Sequence, residues 1–372
     1  MMKKKILHIQ VLPILSGVQK VSLEILQSLP NEEYDKWILF SEDMDKENKD
    51  NCKRAFENAG VKVIFFKNLY REIGFSDFSA FSEIYHLCKK ERFDIVHTNS
   101  TKPGIIGRIA AFCARVPLVV HTVHGIAFHQ EEPKLNQIFY YIIEFFATFF
   151  CDKLVLVNNF YKKYYQLFKK KTIVIYNGLD YSRFQNSKNN KANDDIVRIL
   201  FVGRLDKQKN PLALLEAANF LTKEHKRLRF SFVGEGELCD KCSQYIQKHK
   251  LENFVKLEGW KSNIADYYSS HDIFCLPSVY EAFGLVFLEA GYFGLPCVAT
   301  DVEGIPEVIE NGVTGLLSPP NNLYSLAQNL LKLITDKTLC KRMGNAGHER
   351  VVNLFSKDRM IAEYVKIYSG EK

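Results

Sequence analysis

Two glutamates eight positions apart, Glu281 and Glu289, bracket the run Ser278-Val279-Tyr280-Glu281-Ala282-Phe283-Gly284-Leu285-Val286-Phe287-Leu288-Glu289-Ala290. The run follows an apolar stretch that ends at Leu276-Pro277, and helical spacing begins near Gly284. A helix starting there aims unpaired backbone N–H groups and the positive end of its dipole outward, a ready seat for a diphosphate. Gly284 and Leu285 supply that backbone, and a glycine lets a ligand come close. Glu281 then lies on the loop before the helix and Glu289 about one and a half turns inside it, so the two need not share a face. Glu281 suits a place beside the group that the diphosphate carries. Glu289 suits a ribose diol, whose hydroxyls donate to an acid in dinucleotide sites. Plain helix surface is the competing reading of the spacing, and the position after a strand and the apolar flanks Leu288 and Ala290 weigh against it.

A second group supplies positive charge. Gly203-Arg204-Leu205-Asp206-Lys207-Gln208-Lys209-Asn210-Pro211 follows the apolar run 197–202 and precedes a helix that opens at Pro211. Arg204 offers a bidentate donor and Lys209 a point charge to a leaving diphosphate, on which negative charge grows as its bond breaks. Lys207 reads as a solvated loop lysine. In the first half, His124 in Thr122-Val123-His124-Gly125 also follows a strand and could hydrogen-bond a sugar hydroxyl, although a histidine there is more often merely packed. Ser16-Gly17, at an early strand-to-helix turn, would leave room for a second substrate. Gly234-Glu235-Gly236 is half a dinucleotide fingerprint, with an acid that would oppose a phosphate. Asp43-Met44-Asp45 imitates a metal-binding acid pair, but its crowded charged surroundings read as a solvated loop. Cys239 and Cys242 have no second pair or nearby histidine to complete a zinc site. No metal site is expected.

These residues need a frame. Short apolar runs alternate with amphipathic stretches: 6–11, 37–40, 61–66, 94–97, 118–122, 154–157 and 173–176 read as strands, and after a polar gap 197–202, 228–233, 272–276, 296–299 and 315–317 do so again. This is the βαβ grammar of parallel sheets covered on both faces. It predicts an α/β protein of two doubly wound, Rossmann-like domains, 1–184 and 196–356, joined by the polar linker 185–195 and facing each other across a cleft. A last helix, 357–372, is expected to cross back onto the first domain. Ligands of such sheets bind beyond the carboxyl ends of the strands, where the residues above lie.

Composition excludes several classes. The chain has 372 residues, 47% hydrophobic and 25% charged, which suits two soluble domains. Its net charge of +7 comes from scattered lysines with no base-reading motif, so no nucleic-acid partner is expected. The basic and apolar start holds His8, Gln10 and Pro13 and reads as a buried strand, not a signal peptide. The longest apolar run, 138–150, is interrupted by Glu144 and falls short of the ~20 residues needed to span a bilayer. Nine cysteines without an export signal point to free thiols in a reducing cytoplasm. In Phe160–Lys171 aromatics recur at helical spacing among five lysines and no acid, which predicts a helix. That helix either packs its aromatics on a sheet or rests on an anionic membrane, and the second outcome would make the protein peripheral on the inner face of the cell membrane.

The spacing from Glu281 to Glu289 matches the E-x7-E signature of glycosyltransferase family 4, and the chain resembles that family over nearly its whole length. Supporting matches are Asp94-Ile95-Val96-His97 with Gly107-Arg108-Ile109-Ala110-Ala111, Asn177-Gly178-Leu179-Asp180 with Phe184, Gly203-Arg204-Leu205, Gly234-Glu235-Gly236, and Gly304-Ile305-Pro306-Glu307 with Asn311-Gly312 and Gly315. The resemblance implies the GT-B fold, a nucleotide diphosphate sugar donor (most often a UDP-sugar), retention at the anomeric carbon and no metal cofactor. It also implies an acceptor, a glycan or a polyprenyl-linked one, held by the N-terminal domain, as in capsule, exopolysaccharide or O-antigen synthesis. In such enzymes the leaving phosphate oxygen takes the acceptor's proton, so no conventional base is needed. Carried onto this chain, Arg204, Lys209 and the backbone at Gly284 and Leu285 hold the diphosphate. Glu281 meets the donor sugar, Glu289 the ribose, and His124 the sugar from the other domain. Ser16 stands where the family usually has the first of two glycines, and Asn210 where a glycine usually follows the lysine. A nucleotide-sugar epimerase, a phosphorylase and a non-catalytic donor-binding scaffold are the alternative readings on the same fold.

Overall fold

The computed structural model describes residues 3–70, 74, 76–99, 101–184 and 194–370. It divides into two compact units, one of residues 1–177 with 358–372 and the other of residues 178–357. Most of the polar segment expected as a linker, 185–193, lies outside the described residues.

The first unit runs β1 (Lys4–Ile9), α1 (Gly17–Ser28), β2 (Tyr34–Ser41), α2 (Lys46–Asn58), β3 (Lys62–Phe66), α3 (Ser76–Glu91), β4 (Ile95–Asn99) and α4 (Thr101–Cys113). It continues with β5 (Leu118–Val123), α5 (Lys134–Thr148), β6 (Lys153–Leu156) and β7 (Thr172–Val174). All pairings are parallel, in the order β3-β2-β1-β4-β5-β6-β7. Near-continuous apolar strands such as Ile95-Val96 and Val119-Val120 are buried, as a sheet covered on both faces requires. Asp45, from the acid pair that imitates a metal site, caps α2 by accepting from Asn48 N at 2.9 Å.

The second unit runs β8 (Val197–Val202), α6 (Pro211–Leu221), β9 (Leu228–Val233), α7 (Cys239–Lys248), β10 (Val255–Gly259), α8 (Ala265–Ser270), β11 (Ile273–Leu276) and α9 (Leu285–Tyr292). It ends with β12 (Cys297–Thr300), α10 (Ile305–Val308), β13 (Gly315–Ser318), α11 (Leu323–Thr335) and α12 (Lys337–Leu354). Its parallel order is β10-β9-β8-β11-β12-β13. The sequence pattern misses β10 because this edge strand alternates with exposed Lys256 and half-buried Glu258 and ends at Gly259.

The final helix, α13 (Lys357–Ser369), lies almost wholly in the first unit, where Met360, Tyr364, Ile367 and Tyr368 join the core of Ile6, Ile38, Phe40 and Phe56. Its phenols fix it to the sheet: Tyr368 shares hydrogen bonds with His97 at 2.6 Å and His8 at 3.2 Å, and Tyr364 with Thr122 at 3.2 Å. Burial lowers the pKa of His97 well below its usual value and that of His8 to about 3, so both rings are neutral at neutral pH.

Two expectations need correction. The segment 178–184, placed by composition in the first domain, belongs to the second unit, because Tyr181 stacks on Tyr292 at 5.0 Å and Phe184 packs on Phe293 at 5.3 Å. The aromatic repeat Phe160–Lys171 is not one helix but two 3-10 turns, Phe160–Tyr164 and Gln166–Phe168. Tyr161, Tyr165 and Phe168 are buried there, with Phe168 against Phe145 of α5 and Phe149 just beyond it. Tight turns let these rings and the Lys171 ammonium, which donates to the carbonyls of Thr148 and Cys151, reach the end of α5 together.

Candidate active site

In the second unit the sheet reverses its winding between β8 and its neighbour β11, and the loops after these two strands carry the charged residues singled out above. The loops are joined by backbone and side chain. Val279 N donates to Gln208 O at 2.8 Å, and Gln208 Nε2 to Tyr280 O at 3.1 Å. Lys209 is fixed from behind, its N–H donating to Asp206 Oδ1 at 2.9 Å, and Asn210 turns left-handed at φ 52° so that Pro211 can open α6.

This bracing brings Lys209 and Glu281 together as an ion pair, with Glu281 buried. The cation and the carboxylate, 72 positions apart in the chain, form one unit at the switch point. Arg204 extends further out, its side chain 65% exposed, with Nε 2.9 Å from Asp206 Oδ2 and Nη2 donating to Gln208 Oε1 at 2.9 Å. Gly284 caps α9 at φ 79°, and Leu285 is the first helical residue. A Cβ on Gly284 would lie 2.5 Å from the Phe287 ring, so both the backbone angle and the space call for glycine.

Glu289 sits within α9 and has a partner that spacing does not reveal. The fully buried Tyr268 of α8 donates its hydroxyl to Glu289 Oε2 at 2.8 Å and stacks on Phe293 at 5.6 Å. Burial first, and then the neighbouring carboxylate, push the Tyr268 phenol well above its usual range, so it stays protonated and remains a donor. It fixes one carboxylate oxygen of Glu289.

The half-fingerprint Gly234-Glu235-Gly236 has a different use. A Cβ on Gly234 would stand 2.0 Å from Gly203 O, so the glycine lets the loops after β8 and β9 touch through their backbones, with Leu205 N donating to Glu235 O at 3.0 Å. Glu235 accepts from Trp260 N at 3.2 Å. Cys239 and Cys242 lie in α7, and all nine cysteines are free. Among the described residues no cluster of His, Cys, Asp and Glu could hold a metal ion.

In the first unit the reversal lies between β1 and β4. Asn99 ends β4, and His124 follows β5 with its Nε2 2.9 Å from Asn99 Oδ1. Burial lowers the His124 pKa to about 4, so the ring is neutral. With Nε2–H donated to Asn99, Nδ1 is left as an acceptor suited to a hydroxyl. Asn99 Nδ2 is buried with no hydrogen-bond partner among the described residues, a donor at the carboxyl edge of the sheet that the motif search missed. Ser16 and Gly17 lie at the start of α1, after β1, where Ser16 Oγ donates to Gln19 Oε1 at 2.5 Å.

Comparison with known proteins agrees with this geometry. The family described as "Glycosyltransferase Family 4" matches residues 15–183, and "Glycosyl transferases group 1" matches residues 182–350. An Escherichia coli UDP-Gal:alpha-D-GlcNAc-diphosphoundecaprenol alpha-1,3-galactosyltransferase is 34% identical, with 98% of this chain and 97% of that protein covered. The Staphylococcus aureus capsular polysaccharide biosynthesis glycosyltransferase CapM is 26% identical over 85% of this chain and 86% of its own. The crystal structure of Anabaena HepE in complex with UDP and glucose superposes with a TM-score of 0.81 at 20% identity, covering 98% of this chain and 99% of that one. With both halves matched and a 34% identical relative aligned nearly end to end, the chain belongs to glycosyltransferase family 4 and is a glycosyltransferase of the GT-B fold.

Proposed function

We propose that this glycosyltransferase moves a hexose from a UDP-sugar onto a sugar carried by a polyprenyl diphosphate, building a unit of a bacterial surface polysaccharide at the membrane. The observation that carries this reading is the end-to-end likeness to the galactosyltransferase whose name specifies a UDP donor and a diphosphoundecaprenol acceptor. The likeness to the capsular enzyme supports the polysaccharide context. At the residue level, Arg204, Lys209 and the start of α9 put positive charge where a donor diphosphate would sit, which supports leaving-group stabilisation without a metal ion. Glu281, already paired to Lys209, would steer the sugar as the phosphate leaves. Glu289, held by Tyr268, would accept from the ribose hydroxyls.

In this reading the anomeric configuration is retained: the departing phosphate oxygen takes the acceptor's proton on the face where the new bond forms. His124 would contact the sugar through Nδ1, and the first unit, through the Ser16–Gly17 turn and Asn99, would hold the acceptor. A thermal-shift screen of UDP-, GDP-, ADP- and CMP-sugars, with chelator present, tests the donor assignment. Stabilisation by UDP-sugars alone supports it, and a response confined to another nucleotide contradicts it. Incubation with a UDP-sugar and no acceptor separates transfer from epimerisation, because an epimerase yields the isomeric sugar whereas a transferase at most hydrolyses the donor with its configuration at the other carbons unchanged.

A further inference from the structure

Helix α5 is built inside out. Glu144 faces the protein interior, where Arg108 grips it with two hydrogen bonds of 3.1 and 2.9 Å and the Tyr165 hydroxyl donates at 3.4 Å. Ala147 and Thr148 are buried on the same side. The opposite side carries Leu135, Ile138, Phe139, Ile142 and Phe146, continued by Phe149 just past its end, and all but Ile142 leave half or more of their surface exposed, from 50% at Phe139 to 82% at Leu135. Their spacing is that of one helical stripe, here turned to solvent. Leu167, 70% exposed, projects from the turn beside Phe168, which packs on Phe145 and Phe149. A continuous apolar face of this kind marks a contact surface.

Its surroundings say what covers it. The neighbouring 3-10 turns and the residues after them present exposed Lys162, Lys163, Lys169 and Lys170, and residues 153–179 contain no acid; exposed Asp152, between α5 and β6, accepts from Val119 N at 2.7 Å. The only acid within α5 is the buried Glu144, and Glu131 and Glu132 lie ahead of the helix at its far end. Apolar side chains next to a flank in which exposed lysines outnumber acids match the acyl chains and headgroups of an anionic leaflet. No helix among the described residues is long and apolar enough to cross a membrane, so this contact would be peripheral.

We propose that the outer face of α5, with Leu167, inserts shallowly into an anionic phospholipid leaflet while the lysines of the adjoining turns meet its headgroups. This rests on the membrane-bound acceptor proposed above and assigns the contact to α5, whereas the aromatics of Phe160–Lys171 mostly serve to hold that helix in place. The test is co-sedimentation of the full chain with vesicles of phosphatidylglycerol and phosphatidylcholine, or of phosphatidylcholine alone, at low and high salt. The variants are Ile138→Gln/Phe139→Gln/Phe146→Gln and Lys169→Gln/Lys170→Gln, each checked for an unchanged circular dichroism melt.

Wild type is expected to partition onto the anionic vesicles at least tenfold better than onto the neutral ones and to lose most of that preference at high salt. The triple variant should lose tenfold or more of its binding, and the lysine variant should lose mainly the salt-sensitive part. Wild type that stays in solution with anionic vesicles at low salt, or a triple variant that binds like wild type, overturns the proposal. So does a concentration-dependent dimer, seen by sedimentation velocity without lipid and abolished in the triple variant, when no vesicle binding accompanies it. Vesicle binding needs neither donor nor turnover, so this result and the fate of the transferase reading are read separately.

Discussion

Lys209 and Glu281 act as a pair, so removing one changes the other. Glu281→Ala is expected to lower kcat by about a hundredfold or more while shifting donor affinity much less, because the carboxylate is assigned to the reacting sugar. Arg204→Ala should harm both. In a double-mutant cycle Lys209→Ala and Glu281→Ala should be strongly non-additive, and additive losses in kcat/KM would argue against a coupled unit. Tyr268→Phe removes the hydrogen bond that holds Glu289 and is expected to weaken UDP binding by about three- to tenfold, on the order of 1 kcal/mol, as read by calorimetry. The two loops that bring Lys209 and Glu281 together were legible because each follows an apolar strand in the sequence. Tyr268 and Asn99 were not. The first lies 21 positions from Glu289 on another helix, and the second falls two positions beyond the strand read at 94–97 and carries no signal until the fold sets it 2.9 Å from His124.

Glycines decide how closely the loops of the second unit approach each other. Gly234→Ala would place a methyl group 2.0 Å from the Gly203 carbonyl oxygen at φ 133°, against backbone that has nowhere to move. Gly284→Ala at φ 79° would meet the Phe287 ring, which can shift. Both variants should melt earlier, Gly284→Ala by about 2 kcal/mol and Gly234→Ala by more, measured by calorimetry. Equal or negligible losses would contradict the close approach seen at Gly234. Among the elements, strands and loops were easiest to read. Strands 197–202 and 228–233 coincide with β8 and β9, whose buried Ile199-Leu200-Phe201 and Phe230, Phe232 and Val233 outweigh the interrupting Arg198, Arg229 and Ser231. The Phe160–Lys171 segment was misread because helical spacing of aromatics does not distinguish one helix from two tight turns that each bury a ring. The outward stripe of α5 was hidden for a related reason: an apolar run with one glutamate reads as a core helix, and only the position of Arg108 shows that the glutamate is the inner residue.

Across the whole chain, the first unit closes around neutral histidines and the tyrosines of α13, and this gives its stability a pH dependence. His8, His97, His121 and His124 all have pKa values lowered by burial, His8 to about 3 and His124 to about 4, from the ordinary 6.5. The unfolded chain therefore binds more protons than the native one below about pH 6.5, and stability is full above that value and falls as pH drops toward the folded pKa values. Each histidine that stays neutral removes up to about 1.4 kcal/mol per pH unit in that window. Melting temperature should accordingly decline steeply between pH 6.5 and 4, and a flat profile would show that these rings protonate without unfolding. The two-domain α/β organisation was legible from the repeated βαβ grammar, whereas the exact handover between units was not, because 178–184 is assigned by ring stacking on Tyr292 and Phe293 that no local pattern signals. The central claim is transfer from a UDP-hexose to a lipid-diphosphate sugar, and its most direct test is incubation of the purified chain with UDP-galactose, UDP-glucose and their N-acetylamino forms and a short-chain N-acetylglucosaminyl diphosphate lipid, in chelator. Mass spectrometry then reads the product, and NMR reads the anomeric coupling of the new linkage. A lipid-linked disaccharide with an α linkage from one of these donors, lost in Glu281→Ala, is the expected result. A β linkage, or hexose released only to water with every donor, would contradict the account.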